Sequence, residues 1–321
     1  MRNVSEAVSA RPAYRDLPLL DEGSDYRHAW EFWGKGDPLG CLNDITPQAR
    51  ARGLAAVRAS EVVNVTLPLT LPDPPLFGRG AYTHTVFPPS KRNFVDEKVD
   101  GLFPQRSTQW DGFRHLHVPG HGFFGGVDVE PGRDLDTISV HHWAERGIIT
   151  RGVLVDVSAR IRPALDAAPD EPVAPVEAEE LRAAVAASGV EPAPGDLLCV
   201  RTGWMAHYLE ADAAERERVA RRATWPGLSG SAEVAELLWD WGVAAVAADN
   251  PGVECSPGSR AAGSLHRRLL ALLGMPFGEL FDFETLHRRL GEAGHNDFLF
   301  VAVPLNLPGG AGSTGNAVAL I

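Results

Sequence analysis

Past residue 150 the chain alternates between short apolar runs and segments patterned as capped helices. This alternation constrains the fold more than any other feature of the sequence. The runs RGVLVDVS (151–158), GDLLCVRTGW (195–204), VAAVAADN (243–250) and DFLFVAVPLNL (297–307) carry apolar residues at consecutive positions, as strands buried on both faces do. Helical patterns lie between them. Residues 174–189 begin acidic, continue alanine-rich and stop at Gly189; 229–242 open on a serine cap; 265–274 stop at Gly274; 284–294 form a further short helix. Strands alternating with helices predict an α/β fold.

The first half of the chain is less regular. Residues 1–29 read as a polar N-terminal arm, and one domain spans 30–321, with no internal repeat or flexible linker. Thr46 caps a helix that starts at Pro47 and runs to about Ala59. EVVNVTLPL (61–69) is a strand by its β-branched content. Residues 72–106, rich in Pro, Gly and aromatic side chains, read as a long surface excursion. TISVHHWAERGII (137–149) is a short helix. A net charge of −12 disfavours nucleic acid and anionic membrane as partners, because phosphate repels an acidic chain. Three dispersed cysteines, no apolar leader and no stretch of 18 apolar residues predict a reduced, cytoplasmic protein.

Chemistry concentrates in QRSTQWDGFRHLHVPGH (105–121). If STQWDG is extended, Gln109 and Asp111 point to one face, and a sharp turn at Gly112 brings His115 back to it. Asp and His together suit Zn²⁺ or Mn²⁺, whereas a Gln carbonyl is a weaker, neutral ligand. His117 and His121 read as packing or surface residues, as do His141, His142, His84 and His207. Further on, His266 lies in a basic amphipathic helix whose ordinary reading is solvent-facing. Thirteen positions later, Glu279 follows GMPFG, a stiff turn that would fix its direction. An inward carboxylate costs several kcal/mol unless paired or bound to metal. Spacing alone does not join these pieces.

These motifs resemble the metal-dependent cyclase and kynurenine formamidase-like hydrolases. That family carries His-x-Gly-Thr-His-x-Asp-x-Pro-x-His where this chain has QRSTQWDGFRH, and HRRLLALLGMPFGE (266–279) is similar to its later His and Glu. GDPLGCLNDITP, VHHWAERGI, RGVLVDVS, GDLLCVRTGW, VAAVAADN and VPLNLPGGAGSTGNAVAL extend the likeness over residues 30–321. The resemblance implies a swivelling β/β/α-type single domain with a mixed central sheet flanked by helices, assembled as a homodimer or homotetramer. It places the family's first two histidine ligands on Gln105 and Gln109, its bridging Asp on Asp111 and its acid/base His on His115. The downstream ligands fall on His266 and Glu279. One metal position has thus lost both histidines while the other is complete. One divalent ion per chain, Mn²⁺ or Zn²⁺, is implied, with Gln109 as a carbonyl ligand or a substrate hydrogen-bonding group and Gln105 behind the ligands.

The expected reaction is hydrolysis of a C–N bond in a small amide, lactam or formamide. His115 would move the proton, and Gln109, or a backbone N–H near the glycine-rich tail, would stabilise the oxyanion. Trp33, Trp110 and Phe113 are candidate walls of an apolar substrate pocket. A lactone or ester hydrolase or a dehydratase/cyclase on the same scaffold, and a metal-free small-molecule binding protein, are the rival readings.

Overall fold

A computed structural model describes residues 11–91, 94–165, 175–221 and 224–321. Its strands are β1 (Val62–Asn64), β2 (Thr83–Val86), β3 (Glu97–Asp100), β4 (Gln109–Asp111), β5 (Ile148–Asp156), β6 (Leu197–Arg201), β7 (Ala245–Ala248), β8 (Phe277–Glu279), β9 (Asp297–Ala302), β10 (Gly312–Thr314) and β11 (Ala317–Leu320). Its α-helices are α1 (Pro47–Ala55), α2 (His141–Arg146), α3 (Ser158–Leu165), α4 (Ala178–Ser188), α5 (Trp204–Glu210), α6 (Ala213–Arg221), α7 (Ala232–Asp240) and α8 (Glu284–Ala293). A π-helical segment covers His266–Leu273.

Nine strands form one mixed sheet in the order β1-β11-β9-β5-β6-β7-β8-β4-β10, and β2 pairs with β3 in a separate hairpin. The middle strands β5, β6, β7 and β8 run parallel, and antiparallel strands flank them on both sides. Apolar residues at successive positions fill both faces of these strands. Val153, Val155, Leu198, Val200, Val246 and Ala248 join one core with Leu181 and Val185 of α4 and Val234 and Leu238 of α7. Leu154, Leu197, Cys199, Ala245 and Ala247 join the other with Trp110, Phe281, Phe298 and Phe300. The even and odd positions of a strand serve opposite faces, which is why these runs lack hydrophobic alternation. The expected α/β fold, a single domain with a mixed sheet flanked by helices, is the fold observed.

Several local expectations need correction. Thr46 does cap α1, accepting from Ala49 N at 3.2 Å, but the helix stops at Ala55. The strand expected over 61–69 is only three residues long, and the excursion over 72–106 contains the β2–β3 hairpin. Helices α3, α5 and α6 were not anticipated. The run 195–204 is a strand only as far as Arg201; Gly203 adopts φ 81° and directly precedes α5, where Trp204 and Tyr208 stack at 5.1 Å. GMPFG is not a bare turn, since Phe277, Gly278 and Glu279 form β8. Part of the 174–189 helical pattern falls at residue 174, outside the described residues.

The arm also packs more closely than its polarity implied. From residue 11 on it lies against the domain: Tyr14, Leu17 and Ala29 are buried, and Pro12 O accepts from Trp239 Nε1 at 2.8 Å. Arg268, in a segment read as basic and solvent-facing, is 1% exposed. Its guanidinium donates to Gly230 O (3.0 Å), Asp25 O (3.1 Å) and Ala262 O (3.2 Å) and lies 4.1 Å from the centre of the Tyr26 ring. It ties the arm to the π-helical segment that carries His266.

Arg268→Met would leave those carbonyls without their donor, at about 1–3 kcal/mol for each buried acceptor left unpaired. Urea unfolding should therefore show a loss of at least about 2 kcal/mol. A change within about 0.5 kcal/mol would contradict this role.

Candidate metal centre

The centre forms beside the carboxyl end of β8, where β4 pairs with it. β4 runs antiparallel to β8 with Gln109 opposite Glu279 and Asp111 opposite Phe277. Directly opposed residues share a face, so Gln109 and Glu279 project together, and Asp111, two residues along from Gln109, follows them. The third contributor comes from the π-helical segment, which begins at His266. Asp111, His266 and Glu279 each offer a ligand atom, and these atoms all lie within 4.8 Å of one another. His266 Nε2 is 3.2 Å from Glu279 Oε1 and 3.8 Å from Asp111 Oδ2.

The surrounding bonds orient this set. Glu254 Oε1 lies 2.6 Å from His266 Nδ1, and Glu254 also accepts from Leu265 N at 2.5 Å and Ser264 Oγ at 3.2 Å. A carboxylate on Nδ1 leaves Nε2 facing the other two groups, the arrangement that supports metal-bound imidazoles. Gln109 Nε2 donates to Glu279 Oε2, and Gln105 Nε2 donates to Asp111 Oδ1. Each glutamine thus occupies one carboxylate oxygen. The other oxygen of each carboxylate, Asp111 Oδ2 and Glu279 Oε1, faces His266 Nε2. Two anionic oxygens and one imidazole nitrogen converging in a buried place fit a divalent ion such as Zn²⁺ or Mn²⁺.

Electrostatics agree with that fit. Burial, and next the charge of Asp111, push the Glu279 carboxyl up to about 7. Burial pulls the His266 imidazole down, but Glu254 and Glu279 outweigh it and hold the ring well above its ordinary range. Burial also raises the Glu254 carboxyl, but its bonds to His266 and Leu265 win and leave it low. In the absence of metal, the group therefore retains protons to satisfy its buried carboxylates.

His115 reaches the same place by the route expected. Gly112 N donates to Ala311 O at 2.9 Å, and His115 N donates back to Gly112 O at 2.9 Å, closing the turn. His115 Nε2 stands 3.4 Å from Asp111 Oδ2, and Nδ1 stands 3.1 Å from Gln105 Nε2. About a third of its side chain is open to solvent. Gly312, opposite Asp111 on β10, leaves room for Gln105, since a Cβ there would lie 2.5 Å from Gln105 Cδ. Gln109, expected to ligate metal or substrate, has both ends engaged: its amide nitrogen is on Glu279 and its carbonyl accepts from Arg79 Nη1 at 2.8 Å.

The proposed aromatic walls are elsewhere. Trp110 and Phe113 expose no surface and pack in the core, Trp110 against Phe281 and Phe300 and Phe113 against Phe124 and Trp143. Trp33 packs on Phe32 and Trp239. His117 lies edge-on to Phe123, and His121 meets Asp21 at 3.1 Å. His141 and His142 form a separate group with the exposed Asp136.

Two residues escaped the sequence. Glu254 follows DNPGV, just beyond the carboxyl end of β7, and open α/β sheets place ligand-binding residues at such ends. That rule could have found it. Arg79, in the irregular excursion, carried no signal.

The described architecture is a mixed α/β domain with a candidate metal-binding group where β4 pairs with β8. The chain belongs to the cyclase family, whose model, described as "Putative cyclase", matches residues 63–255. That match ends between Glu254 and His266, so it covers Asp111 and His115 but not the candidate ligands His266 and Glu279. No curated protein matches the sequence. Among solved structures, one described as a novel cyclase is 24% identical with a TM-score of 0.78, covering 92% of this chain and 99% of its own. Isatin hydrolase A from Ralstonia solanacearum is 20% identical with a TM-score of 0.53, covering 86% of this chain and 98% of its own. Isatin hydrolase A from Labrenzia aggregata, bound to benzyl benzoate, is 18% identical with a TM-score of 0.54, covering 84% and 97%. At these identities the likeness is one of fold.

Glu254→Gln should weaken Mn²⁺ binding about 10–100-fold by removing the charge that fixes His266. Calorimetric titration checks this; an unchanged affinity would show that Glu254 does not support the ligand.

Proposed function

We propose that the protein is a metal-dependent hydrolase that cleaves the C–N bond of a small cyclic or aromatic amide, lactam or formamide. The observation that carries this reading is the convergence of Asp111, His266 and Glu279 beside His115. With a divalent ion bound, such a centre polarises a carbonyl and lowers the pKa of a water molecule. His115 takes a proton from the attacking water at Nε2, the nitrogen facing Asp111, whose carboxylate stabilises the imidazolium. The same imidazolium returns the proton to the leaving nitrogen. Asp111, His266 and Glu279 hold the ion, Glu254 holds His266, and Gln105 holds Asp111 and His115 in register.

The choice of a small cyclic or aromatic substrate rests on two supports. The fold is shared with isatin hydrolases, named for hydrolysis of a cyclic amide. A small cavity of about 160 Å³ also lies between Leu76, Phe77, Trp204, Trp225 and Pro251. Trp225 is also a wall of the open cleft that runs along Glu254 to His266, so the cavity and that cleft share one wall. Phe77 meets Trp225 edge-on at 5.5 Å. These rings, rather than Trp33, Trp110 and Phe113, are the walls available to an aryl group.

The test is turnover of a panel of aryl lactams, formanilides and matching lactones by protein loaded with Mn²⁺ or Zn²⁺. Hydrolysis of amides in the panel, lost with metal in Asp111→Ala and His266→Ala, is expected. Turnover of lactones alone would overturn the C–N assignment. His115→Ala should keep its metal and lose about 10²–10⁴-fold in kcat; loss of metal would instead make His115 a ligand.

Metal binding should also be linked to protons. The centre holds protons on His266 and Glu279 to higher pH than usual, and an ion must displace them. Affinity for Mn²⁺ should therefore strengthen as pH rises from about 6 to 8, with proton release seen by calorimetry in buffers of different ionisation enthalpy. An affinity flat over that range would contradict the ligand set.

A further inference from the structure

We infer that Arg79 is a built-in cation of this centre that binds the acyl oxygen of the substrate and the carboxylate formed from it. The inference rests on the hydrolase reading above and adds a residue to it. Arg79 belongs to the excursion before β2, where its backbone N donates to Leu76 O at 3.1 Å. Its Nη1 donates to the side-chain carbonyl of Gln109 at 2.8 Å and to the backbone carbonyl of Gln105. The guanidinium thus reaches both glutamines that hold the ligand carboxylates, and it lies in the field of Asp111 and Glu279. Its carbon lies 4.9 Å from the centre of the Phe77 ring, which lines the cavity.

Three features converge on this role. The first is donor count. A guanidinium has five N–H groups in a rigid fork. Nη1 uses its two, and among the described residues nothing accepts from Nε or Nη2. The fork is held at one end and free at the other, as a preorganised oxygen-binding group should be.

The second is charge. Asp111, Glu279 and Glu254 bring three carboxylates into one place, and Arg79 returns one positive charge. The two charges left over are those of one divalent ion, so the centre is neutral with a single metal and neutral His266. A second divalent ion would leave it strongly positive. The glutamines follow from this: Gln109 donates to an anion at one end and accepts from a cation at the other.

The third is position. Arg79 touches both glutamines that hold the candidate ligands and also lies by the ring of Phe77, a wall of the cavity. A substrate with its ring beside Phe77 and Trp225 and its carbonyl toward Asp111 and His266 passes the guanidinium. In the hydrolytic step, water oxygen bonds to the acyl carbon, one water proton passes through His115 to the nitrogen as the C–N pair leaves with it, and the second water proton leaves the new carboxylic acid for the amine or solvent. Negative charge rises on the acyl oxygen and ends on the carboxylate, which Arg79 can grip with its free donors.

The test uses benzoate as a probe of the carboxylate site and Mn²⁺ as a probe of the metal site, in wild type, Arg79→Met and Arg79→Lys. Arg79→Met should lose benzoate binding by at least about tenfold and lower kcat by about 10²–10³-fold, while still binding one Mn²⁺ with equal or tighter affinity. Arg79→Lys should fall between for benzoate, since it keeps the charge but not the fork. Unchanged benzoate affinity in Arg79→Met, or a loss of Mn²⁺ from it, would overturn the inference. If wild type bound no metal, the hydrolase reading would fail on its own, and the benzoate comparison would still decide the role of Arg79.

Discussion

The register of one three-residue strand holds the site together. β4 is buried throughout and lies between β8 and β10. Gln109 and Asp111 face the candidate centre, and Trp110 between them faces the core. A slip of one residue would turn the indole into the site and bury an amide and a carboxylate among phenylalanines. Trp110 opposes that slip. Its ring packs against Phe281 and Phe300, and its Nε1 donates to Gly315 O at 2.9 Å. The residue that looked like a pocket wall is instead the anchor that sets where the ligands point.

Once register is fixed, charge governs the rest. Burying Asp111 and Glu279 beside each other is costly unless positive charge is near. Without metal the fold supplies it from Arg79 and from the proton on His266, and in the proposed working state a divalent ion takes the place of that proton. Neutral glutamines suit this arrangement because each amide can donate to an acid without adding charge. The expectation that Gln109 would itself ligate metal overlooked that its carbonyl already serves Arg79.

The sequence disclosed the site unevenly. Asp111, His115, His266 and Glu279 were legible because a family resemblance ordered them, and the structure brings them together across more than 160 residues. The parallel core was legible because strands such as 243–250 are apolar on both faces. The helix at Trp204–Glu210 was not, because Gly203, a residue that ordinarily reads as a terminator, directly precedes it two positions past the end of β6. Arg79 was hidden for a different reason. Its importance depends on a tertiary contact between an irregular segment and β4, and no periodicity records such a contact. Arg268 misled in the opposite sense, as a basic residue whose bonds to carbonyls let it sit inside the core.

The central claim is that one divalent ion sits among Asp111, His266 and Glu279, with Arg79 serving as the neighbouring cation. Anomalous X-ray scattering from crystals grown with Mn²⁺ tests it most directly. One peak bounded by Asp111 Oδ2, Glu279 Oε1 and His266 Nε2, with Arg79 still on Gln109, is predicted. A peak between Gln105 and Gln109, a second ion displacing Arg79, or no peak at saturating Mn²⁺ would contradict the account.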